Sequence, residues 1–285
     1  MPELPEVETV RRGLANGVVG RTLQATRVLH PRATRRHEPG PDAFAVGLDG
    51  RQIASIDRRG KFLWFTFADH GDALVAHLGM SGQFRILVDA DGLDSHVRAS
   101  WQLDDGRLLA FRDQRTFGWL LLSPWTTGQG GDIPTAVSHI GRDPFDPDFD
   151  SEGSARALAK SHASIKRGLL NQRHVSGIGN IYADEALWRA QVHPDTPASV
   201  LQAEGCRRVI AAATEVMTEA LAVGGTSFDP LYVTVNGDLG WFARSLDAYG
   251  REGQPCRRCA AAIQRQRFTN RSSHFCATCQ TLAED

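Results

Sequence analysis

The chain has 285 residues, of which 41% are hydrophobic and 23% charged, and its formal net charge is −1. That balance excludes a disordered or fibrous chain, and the length accommodates one large domain or two modest ones. No apolar run approaches the roughly 18 residues of a membrane span, and the start lacks the layout of a signal peptide, so a cytoplasmic protein is expected.

The opening residues Met1-Pro2-Glu3-Leu4-Pro5-Glu6-Val7-Glu8 combine prolines and carboxylates ahead of the first helix. Removal of Met1 leaves a secondary amine at Pro2 beside the carboxylate of Glu3, which is the makeup of a nucleophile with a proton-transfer partner. The same residues suit a plain helix start, with acids near the positive end of its dipole, and taken alone they favour that plainer reading. Val7, Val10, Leu14 and Val18 recur at helical spacing and predict a helix that ends near Gly20.

From Arg21 to about Ser123 the pattern changes to short runs punctuated by Gly, Asp and Pro. Thr22–Leu29, Phe62–Phe67, Ala73–Leu78, Val97–Leu103, Leu108–Phe111 and Trp119–Leu122 predict strands of a β-sandwich or barrel with one helix packed at its start. Arg59-Gly60-Lys61-Phe62 places a lysine in an apolar strand. Most such lysines are solvated edge residues, whereas one near a catalytic amine can hold a phosphate or carry a proton. His77–Gly82 and Asp113–Gly118 each set a bulky residue, Met80 and Phe117, beside glycine near a strand end. Such residues are usually core or loop packing; in a DNA-binding protein they can be wedges that enter the base stack.

Residues 124 to 153 are rich in Gly and Pro and read as a linker. Helices are predicted over Ala155–Ser161, Ser164–Asn171, Asn180–Gln191 and a long stretch around Arg207–Val223. Between the second and third lies His174-Val175-Ser176-Gly177-Ile178-Gly179-Asn180, whose glycines permit a tight turn that aims N–H groups at an anion. Packing alone is an equally good reason for such a turn. Residues 225 to 247 look like an excursion between domains. Cys206, alone in a helical stretch, reads as a small buried hydrophobe.

Four of the five cysteines lie near the C-terminus, as Cys256-x2-Cys259, sixteen residues, then Cys276-x2-Cys279. Two such knuckles supply four thiolates to one tetrahedral Zn²⁺, a closed and therefore structural site, and metal binding supplies the folding energy so short a segment lacks. From Gly250 to Phe275 six arginines face one acid, so a basic surface for phosphates, or simply a solvated one, is expected despite the neutral total.

Taken together, PELPEVET at the start, the RRGK around Lys61, LGMSGQ, DQRTFG, VSGIGNIYADEAL, GGTSF and the terminal YGREG with its two CxxC knuckles resemble the bacterial formamidopyrimidine-DNA glycosylase family (Fpg, or MutM) over the whole chain. The related endonuclease VIII branch shares the architecture, but Leu4 stands where that branch typically has Gly. The resemblance implies an α+β multidomain protein: an N-terminal β-sandwich with a flanking helix, then a helical helix–two-turn–helix domain and a C-terminal four-cysteine zinc finger. The implied division is 1–123 for the catalytic sandwich, 124–153 for the linker, 154–246 for the DNA-binding helices and 247–281 for the finger. It implies a monomeric glycosylase and lyase that removes 8-oxoguanine and formamidopyrimidines from double-stranded DNA, cleaves abasic sites, and holds the DNA in the cleft between its domains. Carried over by position, Pro2 is the nucleophile and Glu3 its acid–base partner, Lys61 assists β-elimination and Arg271 assists δ-elimination. Asn180 and Lys61 hold phosphates, Met80, Arg115 and Phe117 fill the space of the flipped base, and His96 and Lys166 are further DNA contacts. Thr226–Leu239 corresponds to a loop that caps the damaged base. One departure is Ser161, where relatives often have lysine and Lys160 is the nearest substitute. Two alternatives stay open on the residues: an endonuclease VIII-like activity on oxidised pyrimidines, and a zinc-dependent damaged-DNA-binding protein without catalysis.

Overall fold

The computed structural model describes residues 2–128, 131–225 and 245–283. Two compact units make up the chain, one built mainly on Met1–His139 and one on Ile140–Val223 with the C-terminal region; the chain re-enters the first unit at Gly224.

Helix α1 (Leu4–Val18) forms where the spacing predicts it. Leu4, Val7, Val10, Leu14 and Val18 share one face and all are buried. Pro5 sits in the first turn, where its missing N–H is no loss, and Glu6 Oε2 accepts the Glu3 N–H at 2.8 Å. After β1 (Leu23–Val28) and the short α2 (Pro41–Val46) come β2 (Ile53–Arg59), β3 (Phe62–Phe67), β4 (Ala73–His77), β5 (Gly82–Leu87), β6 (Val97–Leu103), β7 (Leu108–Asp113) and β8 (Trp119–Ser123).

These strands make two four-stranded antiparallel sheets, ordered β1-β6-β7-β5 and β2-β3-β4-β8. Their apolar faces share one core with α1. Phe65 of β3 lies 5.6 Å from Phe84 of β5, and Phe84 lies 5.2 Å from Phe111 of β7, ring centre to ring centre. The sandwich with a flanking helix is therefore as expected. The stretch expected as a linker is less bare than that: within the first unit β9 (Trp125–Gly128) and β10 (Gly131–Pro134) pair as a hairpin.

The second unit begins with α3 (Ser151–Ala159), capped by Asp150, which accepts the Gly153 N–H at 2.8 Å. Helices α4 (Ile165–Leu170), α5 (Asn180–Ala190) and α6 (Ala198–Ala222) follow, with α3 and α5 both packed on α6. Left-handed backbone at Gln202 (φ 54) breaks α6, so its continuous part starts close to the Arg207 that the sequence predicts. Cys206 is fully buried in this helix, as expected. The hairpin of β11 (Gln264–Phe268) and β12 (Arg271–Phe275) completes the unit. Among the described residues no helix is long and apolar enough to cross a membrane.

Candidate functional site

Pro2 is buried and Glu3 is only 2% exposed, so the start of the chain is enclosed. The helix that holds it is fixed by charge. Glu8 binds Arg11, Arg12 and Arg58 at 2.8 to 3.1 Å. Burial pushes its carboxyl up, but the three guanidiniums outweigh that and hold it at about 2. Arg58 also donates to the carbonyl of Gly60 at 3.2 Å. Glu8, less than two turns along α1 from Pro2, is thus tied to the residue before Lys61.

Lys61 stands in the two-residue Gly60-Lys61 turn of the β2–β3 hairpin, not inside a strand as the sequence suggested. It is nevertheless only 7% exposed, against the usual fate of a turn lysine. Its charge, after burial, helps to push neighbouring His77 down to about 4. His77 Nδ1 accepts the Gly79 N–H at 3.1 Å, so the neutral ring shapes the turn before Met80. From the other side Gly225, the last described residue before the expected capping loop, brings its backbone against Glu6. A side-chain carbon there would lie 2.9 Å from Glu6 Oε1. The loop itself, Thr226–Leu239, lies outside the described residues.

Met80 and Phe117 are 44% and 47% exposed, although both adjoin the sandwich core. Their two turns touch: a Cβ on Gly79 would fall 2.5 Å from backbone atoms of Phe117 and Gly118, and Gly79 has φ +61. Exposed Arg115 lies in the same loop, where its N–H donates to Ser81 Oγ at 3.1 Å. His96, half-buried at the start of β6, donates its N–H to Asp94 and accepts the Asp113 N–H on its carbonyl.

In the second unit the glycine turn is real. Gly177 has φ +91, and Gln172 organises the turn by accepting the Gly177 N–H and donating to the Ile178 carbonyl, both at 2.9 Å. Asn180 opens α5 and donates to the Ser272 carbonyl at 3.0 Å, next to Arg271 at the hairpin tip. Arg271 with Arg167, Asn171, His174, Thr269 and Asn270 lines an open cavity of about 470 Å³ suited to an anion.

Lys166 requires a correction. It is 0% exposed, and its ammonium donates to Asp184 Oδ1 at 2.6 Å, Ser273 Oγ at 2.8 Å and the Ser272 carbonyl at 3.0 Å. A group so enclosed cannot also reach a DNA backbone; it fastens α4 and α5 to the hairpin. The sequence shows a lysine in a helix next to a glycine turn but not which way it points.

Cys256, Cys259, Cys276 and Cys279 place all four sulfurs within 4.8 Å of one another. Burial pushes the Cys256 thiol up, but N–H groups of Arg258 and Cys259 and the Trp188 indole, 3.3 Å from Sγ, hold it down at about 6. Donors aimed at sulfur suit a thiolate, so the donor set fits one structural Zn²⁺.

Comparison with known proteins agrees with this geometry. Residues 1–120 match the formamidopyrimidine-DNA glycosylase N-terminal domain, residues 140–230 match that enzyme's H2TH domain, and residues 253–282 match the zinc finger found in FPG and IleRS. The chain belongs to the formamidopyrimidine-DNA glycosylase family. It is 55% identical over 280 residues to the formamidopyrimidine-DNA glycosylase of Mycobacterium avium, with 98% of each chain covered. The crystal structure of MutM (Fpg) from Thermus thermophilus is similar at a TM-score of 0.83 and 38% identity, covering 99% of this chain and all of that one. Lactococcus lactis Fpg in complex with DNA containing an abasic site gives a TM-score of 0.84 at 32% identity, covering 98% of this chain and 99% of that one.

For a member of the Fpg family the sequence reading missed several residues that act through others. Glu8 and Arg58 fix the start of the chain, Asp184 holds Lys166 and the finger, and Asp113 and Arg35 grip the loop of Phe117. Glu8, Arg58, Asp113 and Asp184 show in the sequence as charges within or beside apolar runs, and Arg35 as one arginine of a basic stretch; neither signal names a partner.

Proposed function

We propose that this chain excises oxidised purines, 8-oxoguanine and formamidopyrimidines, from duplex DNA and then cuts the strand by β,δ-elimination. The observation that carries the reading is the enclosed Pro2–Glu3 pair at the head of a helix locked by Glu8 and Arg58, in a chain of this family. With Met1 removed, the Pro2 nitrogen attacks C1′ of the damaged nucleotide and the base departs. An α-amine has a pKa of about 8 against about 10.4 for lysine, which leaves far more of it unprotonated at neutral pH. A secondary amine gives an iminium with no N–H to lose, so it stays cationic and draws electrons through successive eliminations. Glu3 protonates the sugar ring oxygen as the ring opens, Lys61 assists the first elimination and Arg271 the second.

A base inside a duplex is out of reach, and unstacking it costs a few kcal/mol. Met80 and Phe117 offset that cost by restacking against the neighbouring bases, and Arg115 hydrogen-bonds the orphaned base, favouring the acceptors of cytosine. His96 and Asn180 hold the backbone, and the zinc finger presents Arg271 to it. The protein acts as a monomer on the chromosome, in the bacterial cytoplasm.

Borohydride reduction of a reaction with an 8-oxoguanine:cytosine duplex tests the assignment. A covalent protein–DNA adduct is expected for the chain, with mass spectrometry placing the reduced bond on Pro2 as its first residue. An adduct carried by any other residue overturns the nucleophile. Faster excision of thymine glycol than of 8-oxoguanine overturns the substrate class.

A further inference from the structure

We propose that Arg35 is a positioning residue for the loop that carries Arg115 and Phe117. The inference rests on the wedge reading above. Residues Asp113 to Gly118 connect β7 to β8 through a left-handed Thr116 (φ 56). Two amides of this loop go to an anion, and five of its carbonyls go to cations. Asp113, fully buried, accepts the Thr116 N–H on Oδ1 at 3.1 Å and the Gly118 N–H on Oδ2 at 2.6 Å, and Ser81 Oγ donates to the same carboxylate at 2.5 Å. On the carbonyls, Arg35 Nη1 donates to Gly118 at 2.6 Å and to Thr116 at 3.5 Å, while Nη2 donates to Phe117 at 2.8 Å. Arg98 does the same for Asp113 at 2.7 Å and Gln114 at 3.5 Å.

Charge-assisted bonds of this kind are about twice as strong as neutral ones, and a fork that spans neighbouring carbonyls fixes their direction as well. The backbone of the loop is therefore set while the Phe117 side chain stays 47% exposed. A wedge needs that combination. On a compliant loop an exposed phenyl ring folds back onto the protein, and the cost of opening the base stack is spent on bending the loop. Asp113 also holds Ser81, one residue after Met80, so both wedge candidates share one support.

Arg35 is the part of this support that can be removed without opening the core. It is an exposed residue, just after the short helical turn Pro31–Thr34, whereas Asp113 is enclosed. No strand or helix runs through it.

The test uses the full chain and a duplex with 2-aminopurine beside 8-oxoguanine, whose fluorescence rises when the stack opens. In Arg35→Ala the rise and the kcat for excision are expected to fall about tenfold. The melting temperature and the cleavage of an abasic site in single-stranded DNA, where there is no stack to open, stay unchanged. Arg35→Lys, with one ammonium in place of a fork, recovers part of the loss. Phe117→Ala sets the scale. If Phe117→Ala loses signal and rate while Arg35→Ala keeps both, the Arg35 inference alone fails. Equal losses in Arg35→Ala on duplex and single-stranded substrates also overturn it, since they indicate a general structural role. If Phe117→Ala itself changes nothing, the wedge reading fails and the role of Arg35 falls with it.

Discussion

Lys166 Nζ lies 2.6 Å from Asp184 Oδ1, and neither side chain has any exposed surface. The second oxygen of Asp184 accepts the His274 N–H at 2.9 Å, so one buried carboxylate joins α5 to both α4 and the finger hairpin. Leaving one member of such a pair alone is expected to cost about 3–5 kcal/mol, because an uncompensated charge stays in the interior. Lys166→Met should therefore destabilise the helical unit by that order in urea titrations, and Lys166→Met with Asp184→Leu should recover much of the loss. DNA affinity distinguishes this from phosphate contact. A lost phosphate contact lowers the slope of log K against log salt by about 1, whereas the structural role leaves the slope of the folded variant unchanged.

Zinc removal should act locally first. Trp188 donates to Cys256 Sγ, and Trp188, Ala248, Cys256, Ile263 and Cys276 form one small apolar cluster. So small a cluster cannot hold the hairpin without the metal. Chelation is expected to change Trp188 emission and abolish strand cleavage, with amide exchange rising in β11 and β12 and staying slow in the sandwich. Retained hairpin protection after complete metal removal would contradict a structural role.

Gly79→Ala should be costly for two separable reasons. The position has φ +61, and the added carbon would meet Phe117 and Gly118 backbone at 2.5 Å. Gly106 has φ +88 and nothing within 4 Å of the same carbon, so Gly106→Ala isolates the backbone strain. That strain is worth about 1–3 kcal/mol. A larger fall in melting temperature for Gly79→Ala than for Gly106→Ala, accompanied by slower excision, is the expected result. Equal shifts would mean the two turns part readily, and Met80 and Phe117 would not form one wedge.

Much of the architecture is legible in the residues because period and punctuation are local. Phe62–Phe67 and Val97–Leu103 carry their strands in unbroken apolar or alternating runs, and the α1 stripe is complete from Val7 to Val18. β2 is harder to see, since Asp57, Arg58 and Arg59 interrupt it, and β5 is hidden by its opening Gly82-Gln83. Those interruptions mark distant partners and turns: Arg58 reaches Glu8, and β5 grows out of the Met80 turn. The zinc site is legible because four ligands announce themselves by spacing. The burial of Lys61 and Lys166 is not, because side-chain direction depends on partners far along the chain. Ser273 lies more than a hundred residues from Lys166.

Acid should affect the two units in opposite directions. In the sandwich, burial first and then Lys61, Arg36 and Arg35 push His77 down to about 4 from a usual 6.5. Unfolded, that ring takes up a proton below about 6.5; folded, it stays neutral until about 4. Its contribution is complete above 6.5 and is lost as the pH falls from 6.5 towards 4. In the helical unit, Glu185 accepts N–H bonds from Asp247, Ala248 and Tyr249 at 2.7 to 2.9 Å, which favour the carboxylate, but burial outweighs them and raises it to about 7. The folded group holds its proton up to about 7, while the unfolded one gives it up near 4.5. Its contribution is complete below 4.5 and is lost as the pH rises towards 7. Each shift corresponds to about 3 kcal/mol at the far end of its window. Urea unfolding at pH 7 and pH 5, read from amide signals of each unit, should show the sandwich weaker and the helical unit stronger at pH 5. Glu185→Gln should remove the change in the helical unit alone. A common shift of both units, or an unchanged slope in Glu185→Gln, would refute the assignment.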